Sequence, residues 1–225
     1  MDIPTRLERE MWRAEQFDRV ALFFDMSNLY FAARDLGVRI DYSKLLDFLV
    51  DGRRLYCAYA YVVLSTEDSS AVPFLTWLRR NGFRVTAKAL RRQPDGTLRG
   101  NLNLELAVDM LTQAPYYDVA VLVSGDGDFT YLVESVQRLG KRVEVASTPR
   151  NTSVELLEAA DRYIDLEAHL SAFSQPRPAA PSQPSNEWQP RPNVTRPQEN
   201  ESSWRSRLFG SRPSPEEGQE DELDR

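Results

Sequence analysis

The sequence predicts an α/β domain built on a mostly parallel sheet that is covered on both faces. Two observations predict it. Apolar runs such as "RVALFFD", "LYCAYAYVVLS" and "DVAVLVS" are too uniformly hydrophobic for a sheet with one wet face. They also alternate with amphipathic stretches of about a dozen residues, the rhythm of strand–helix–strand crossovers. A hydrophobic content of 41% in 225 residues is enough for one packed core plus extensions.

Taken in order, "RVALFFD" is a short buried strand, and "SNLYFAARDLG" and "DYSKLLDFLV" read as helices, the second with Asp41 as N-cap. "LYCAYAYVVLS" is the longest strand, and "SSAVPFLTWLRRNG" is a helix closed by Gly82. "FRVTAKALRR" alternates as a strand does, with Phe83, Val85, Ala87 and Ala89 on one face and Arg84, Thr86, Lys88 and Leu90 on the other. After a "PDGT" turn come the helix "NLNLELAVDMLTQA", the strand "DVAVLVS", the helix "FTYLVESVQRLG", the strand "RVEVAS", the helix "NTSVELLEAADR" and the short strand "YIDL". The expected organisation is a charged segment at 1–18, a folded domain at 19–173 and a tail at 174–225 without internal repeats.

The tail holds nine of the fourteen prolines and almost no aliphatic residues, so it is expected to be disordered. Its Trp188, Trp204 and Phe209 sit among arginines and offer anchors for a protein partner or stacking surfaces for bases, or the segment is a plain flexible extension. Net charge is −6, so a phosphate-binding surface has to be local. The single cysteine, Cys57, lies in an apolar run and reads as a core thiol. Neither a secretory h-region nor an uninterrupted apolar stretch of about 18 residues is present, which points to a cytoplasmic protein without a membrane span.

Two strands end in acids. "ALFFD" ends in Asp25, with Ser27 and Asn28 following, and "AVLVS" leads into Asp126 and Asp128 of "GDGD". In open parallel sheets, ligands bind beyond the carboxyl ends of the strands where the topology reverses. Carboxylates converging there repel one another unless a cation compensates, and an octahedral Mg²⁺ or Mn²⁺ is the natural compensator. Gly125 and Gly127 are expected to give this loop backbone angles that side chains resist. Glu105 and Asp109 share one face of the helix after the "PDGT" turn, and Asn101 or Asn103 is placed to cap it. Asp109 is flanked by apolar residues, so it is expected to be paired or metal-associated. Taken singly, "GDGD" also suits a plain turn or a Ca²⁺ loop, and Asp25 to Asn28 suits a helix cap.

"ALFFDMSNLY", "RGNLNLELAVDML" and "DVAVLVSGDGDFTYLVESVQRLGKRVEVAS" resemble, in this order and spacing, the NYN domain, in its LabA-like branch of the PIN-like nuclease superfamily. The resemblance covers residues 18 to 170. It implies a three-layer α/β/α PIN-like (Rossmann-like) fold with an acidic pocket that binds Mg²⁺ or Mn²⁺ and cleaves RNA. Carried over by position, Asp25, Asp126, Asp128 and Asp109 are the catalytic and metal-holding acids, and Asn28 and Asn103 position water or phosphate. Many members have Asp where this chain has Asn103, an exchange that removes a charge and lowers affinity for a divalent ion.

The expected function is metal-dependent hydrolysis of RNA phosphodiesters. The alternative is a non-catalytic regulator that binds RNA or protein through a degenerate site, and homodimer formation is open to either. Substrate contacts fall to a basic band with Arg79, Arg80, Arg84, Lys88, Arg91, Arg92 and Arg99 against one acid, Asp95, and within it to Arg84, Lys88, Arg91 and Arg92. The same band also reads as a solvated helix end and strand edge, and Phe74 and Trp77 read as core. An aspartyl-phosphatase reading fails because Ser27 stands where a second acid is needed, and a topoisomerase-type site lacks a well-placed glutamate ahead of "DGD". The only histidine, His169, lies far in sequence from the acids, and a two-histidine ribonuclease is excluded by count.

Overall fold

The computed structural model describes residues 18–64, 71–92 and 98–176, with the backbone alone at 91, 92, 98, 99 and 176. The charged start, the "PDGT" turn and the tail from Arg177 lie outside these residues. Ten strands are present among the described residues: β1 (Arg19–Asp25), β2 (Val38–Ile40), β3 (Arg54–Leu64), β4 (Phe83–Ala89), β5 (Arg91–Arg92), β6 (Leu98–Arg99), β7 (Val119–Val123), β8 (Arg142–Ser147), β9 (Arg162–Asp165) and β10 (Ser174–Pro176). The helices are α1 (Met26–Asp35), α2 (Tyr42–Val50), α3 (Ala71–Arg80), α4 (Asn103–Thr112), α5 (Thr130–Arg138), α6 (Val154–Ala159) and α7 (Leu170–Phe173).

Six strands form the main sheet in the order β4-β3-β1-β7-β8-β9, and every pairing within it is parallel. Alternation along the strands sorts the core into two layers. Val20, Leu22 and Phe24 of β1 face α1, α2 and α3, where Met26, Leu45, Leu49 and Leu78 are buried against them. Ala21 and Phe23 face the other way, toward Leu106 and Met110 of α4, Val133 and Val136 of α5 and Leu156 of α6. The expected three-layer α/β/α arrangement follows directly, because a strand apolar on both sides must be covered on both sides.

The chain winds outward from β1 through β3 to β4, then returns to place β7 on the other flank of β1. The carboxyl ends of β1 and β7 therefore lie side by side at the point where winding reverses. Asp25 stands at one of these ends, and Ser124 to Asp128 follow the other.

Two short pieces depart from the sequence expectation. Val38–Ile40 is a strand rather than a connection, and Ser174–Pro176, grouped with the tail by composition, pairs with it antiparallel. Phe173, the residue before this pairing, is 1% exposed, so a core anchor rather than composition decides where order extends. Asp41 caps α2 as expected, accepting from the N–H groups of Ser43 and Lys44. Cys57 is buried, and burial pushes its thiol up, away from reactivity. Trp77 is 38% exposed and tilts against Tyr42, so it sits at the rim of the core. His169 is exposed beside Phe48.

A buried ion pair spans the layer beneath α2. The Arg53 guanidinium, just ahead of β3, holds both carboxylate oxygens of Glu144 on β8 at 2.8 and 3.1 Å and also donates to the carbonyls of Leu49 and Val50. Removing one partner strands a charge in the core. Glu144→Gln is expected to cost ~3–5 kcal/mol in chemical denaturation, while replacing both residues by methionine recovers most of that loss.

Candidate functional site: an acidic pair at the winding reversal

Asp25 ends β1 and starts α1. One carboxylate oxygen accepts from the backbone N–H groups of Ser27 and Asn28 at 3.2 Å each, which caps the helix, and the other accepts from Ser124 Oγ at 3.1 Å. The helix-cap reading of Asp25 is thus correct as far as it goes, and the same side chain also reaches the neighbouring strand end. Burial pushes the Asp25 carboxyl above the usual range. The Asn28 N–H and the Ser124 hydroxyl pull it back, and the nearby charge of Asp126 adds to the rise.

The loop after β7 is pinned from three directions. Asn28 Oδ1 accepts from the Gly125 N–H at 3.1 Å, Ser124 Oγ accepts from the Asp126 N–H at 3.2 Å, and Asp126 Oδ1 accepts from the Asp128 N–H at 3.0 Å. Gly125 is required here for space rather than for backbone angle. It has no positive φ, yet a Cβ at this position would fall inside the Asn151 carbonyl and crowd Ser147 Oγ. A Cβ on Gly127, likewise without positive φ, would crowd Ser153 Oγ.

Asn103 opens α4 and does not cap it. The N-cap position belongs to Leu102, without a side-chain bond, and Asn103 Nδ2 instead donates to Asp126 Oδ2 at 3.2 Å. Asp109 lies six residues further along α4 and accepts from the Tyr61 hydroxyl at 2.8 Å. Burial, and after it the bond to Asp109, hold the Tyr61 phenol far above its ordinary range, so it remains a donor. Asp109 thus has a hydrogen-bond partner for one of its carboxylate oxygens. Asp128 is exposed at the outer side of the loop.

The structure thus brings together Asp25, Asp126, Asn28 and Asn103, and adds Ser124. Ser124 is 1% exposed and serves both acids, a role its plain position between an apolar run and "GDGD" did not reveal. Tyr61 was also missed. No signal in the sequence sets it apart, because Tyr56 and Tyr59 stand in the same strand.

Among the described residues no Lys or Arg pairs with Asp25 or Asp126, and no three His, Cys, Asp or Glu side chains are grouped closely enough to hold an ion unaided. Two adjoining carboxylates with unbalanced charge suit an ion that keeps most of its water and takes further ligands from a phosphate, which is how Mg²⁺ is commonly bound. The donor set fits such an ion and does not form an all-protein cage.

Of the expected substrate contacts, Arg84 is exposed, with its guanidinium 5.7 Å above the Tyr59 ring. Lys88 pairs with Glu105 of α4 at 2.8 Å. The side chains of Arg91 and Arg92 lie outside the described set. No described helix is long and apolar enough to cross a membrane.

The NYN domain family model matches residues 19–167. The chain is 31% identical over 155 residues to the low amplitude and bright protein LabA of Synechococcus elongatus, a match that covers 66% of this chain and 83% of that one. It also superposes on the crystal structure of a protein of unknown function from Vibrio parahaemolyticus with a TM-score of 0.63 and 30% identity, covering 72% of this chain and 98% of the other.

A raised Asp25 carries a thermodynamic signature. Its charged form is disfavoured in the folded state, so stability is lost as pH rises from the unfolded carboxyl value of ~3.9 through the higher folded value. Asp25→Asn keeps an oxygen for the cap and removes the repulsion. It is expected to melt ~2–4 °C above wild type at pH 7 and to lose that advantage near pH 3, as read by thermal denaturation across pH.

Proposed function

The chain belongs to the NYN family of PIN-like, nuclease-type domains, which generally bind RNA and use divalent metals, and from that premise we propose that it is an Mg²⁺- or Mn²⁺-dependent ribonuclease. The observation that carries the reading is the pairing of Asp25 with Asp126 at the winding reversal, uncompensated by any described cation and costly to keep unless the pair holds one. Asp25 and Asp126 would hold the ion, which when bound would polarise a phosphate oxygen and acidify a water so that it could attack the phosphorus. Asn28 fixes the loop through Gly125, and Ser124 ties the Asp25 carboxylate to the backbone N–H of Asp126. Asp128, exposed beside Asp126, would orient the attacking water. Asp109, held by Tyr61, acts from behind these groups as a positioning residue.

One observation favours the alternative, a non-catalytic RNA- or protein-binding regulator. The Asn103 amide already satisfies an oxygen of Asp126 and brings no charge, so the site attracts a divalent ion more weakly than one with a third carboxylate. Under either reading the protein is expected to work in the cytoplasm. The tail anchors Trp188, Trp204 and Phe209, candidates for a protein partner, lie outside the described residues, and self-association belongs to the same proposal.

Cleavage of end-labelled single-stranded and hairpin RNA with Mn²⁺, Mg²⁺ or EDTA separates the readings. Wild type is expected to cut only with metal, and Asp126→Asn to fall by at least ~100-fold. Asn103→Asp is expected to lower the metal concentration needed for half-maximal cutting by ~10-fold. Equal inactivity of wild type and Asp126→Asn, with RNA binding retained, selects the regulator.

A further inference from the structure

The side of the sheet that carries α4 is not covered evenly. β4 is an edge strand, and of its residues on this side Arg84 and Lys88 are exposed and Thr86 is half-buried. Register places these residues exactly relative to the acids without any appeal to side-chain reach. Asp25 lies opposite Tyr61, and Tyr61 lies opposite Thr86, so Asp25 and Thr86 occupy one row across β1, β3 and β4. Lys88 lies one same-face step beyond that row in the direction of the strand ends, opposite Val63, and Arg84 lies one step before it, opposite Tyr59. With strands ~4.8 Å apart and a rise of ~3.3 Å per residue, the Lys88 backbone is ~12 Å from that of Asp25. This is too far to share the scissile phosphate through the backbone position, and it suits a neighbouring phosphate of the same strand.

Both cations are held in place before any ligand arrives. The Arg84 guanidinium rests over the Tyr59 ring, whose residue is 5% exposed, so only the outer face of the guanidinium is open for stacking or phosphate contact. Lys88 is held by Glu105 in the first turn of α4, the turn that also delivers Asn103 to Asp126. That pair is accessible, with the two side chains 43% and 35% exposed, and pairs this exposed contribute little to stability. Glu105 engages Lys88 through one oxygen, and its other oxygen has no hydrogen-bond partner. The stretch 83–92 carries four cations and no acid in a chain of net charge −6, so the complementarity to a polyanion is local.

We propose that β4 carries the track along which single-stranded RNA approaches the acidic pair, with Arg84 and Lys88 as its phosphate and base contacts and Glu105 as a built-in competitor that occupies Lys88 until a phosphate displaces it. This rests on the ribonuclease reading for the identity of the polyanion, and it assigns to Glu105 a restraining role outside catalysis. The track is tested by fluorescence anisotropy of a labelled single-stranded RNA in EDTA over a series of KCl concentrations. Lys88→Gln is expected to bind about fivefold more weakly, with the slope of log K against log salt reduced by ~0.7, the increment for one phosphate contact on a single strand. Lys88→Arg restores the slope, Arg84→Gln lowers it, and Glu105→Gln binds about threefold tighter than wild type. If wild type binds RNA with a salt dependence that neither Lys88→Gln nor Arg84→Gln alters, the track is elsewhere and the ribonuclease reading survives. Weakening by Glu105→Gln equal to that of Lys88→Gln makes the pair a structural support and overturns the competitor role. Absence of any salt-dependent RNA binding by wild type in EDTA overturns the track, while metal-dependent cutting by the same protein keeps the ribonuclease reading.

Discussion

A buried carboxylate beside a second acid is the constraint around which this site is built: burial holds Asp25 above the usual range, and the nearby charge of Asp126 adds to the rise. Asp25 ends β1 and Asp126 lies in the loop just after β7, the two neighbouring strands between which the winding of the sheet reverses. Everything around the pair serves to keep it in place. The first turn of α1 spends two N–H groups on Asp25, Ser124 bridges the two acids, Asn28 ties the loop to α1, and α4 gives the amide of Asn103. A protein that needed only a turn after β7 has simpler ways to make one.

The scaffold is rigid where the site requires it. Each strand that leads to the pocket is buried on both sides, and Phe23 stacks on Tyr59 with ring planes 2° apart, so β1 and β3 keep their register beneath the site. The Arg53–Glu144 pair ties the entry to β3 to β8, the second strand on the far side of β1, and so fastens both windings of the sheet together. Such a pair adds little net stability over an apolar one, but once present it penalises any arrangement that separates its charges. Rigidity built from hydrophobic layers therefore supports a cluster of polar groups that would not hold itself together.

The layers, the parallel sheet and the position of the acidic loop were legible in the sequence because they follow from apolar periodicity and from acids placed at strand ends. What was not legible depended on distances between segments far apart in the chain. The glycines of "GDGD" suggested unusual backbone angles, whereas Gly125 is needed because the Asn151 backbone, 26 residues away, passes through the space a side chain would fill. Asn103 looked like a cap because asparagine favours that position, and the pull of Asp126 outweighed it. The partner of Asp109 is Tyr61, 48 residues earlier, a contact that sequence spacing does not reveal. The pairing of Ser174–Pro176 with β2 was hidden by a proline-rich composition that says nothing about the buried Phe173 beside it.

The rationale proposed for the acids and amides at the winding reversal is a shared divalent cation, and this can be tested directly. Anomalous diffraction from crystals of the full chain soaked in Mn²⁺ is expected to show a peak between the carboxylates of Asp25 and Asp126, absent in Asp126→Asn crystals treated identically. A saturating soak that leaves this position without a peak, or that places manganese only on other carboxylates, contradicts the metal-site account and leaves the pair as a structural latch.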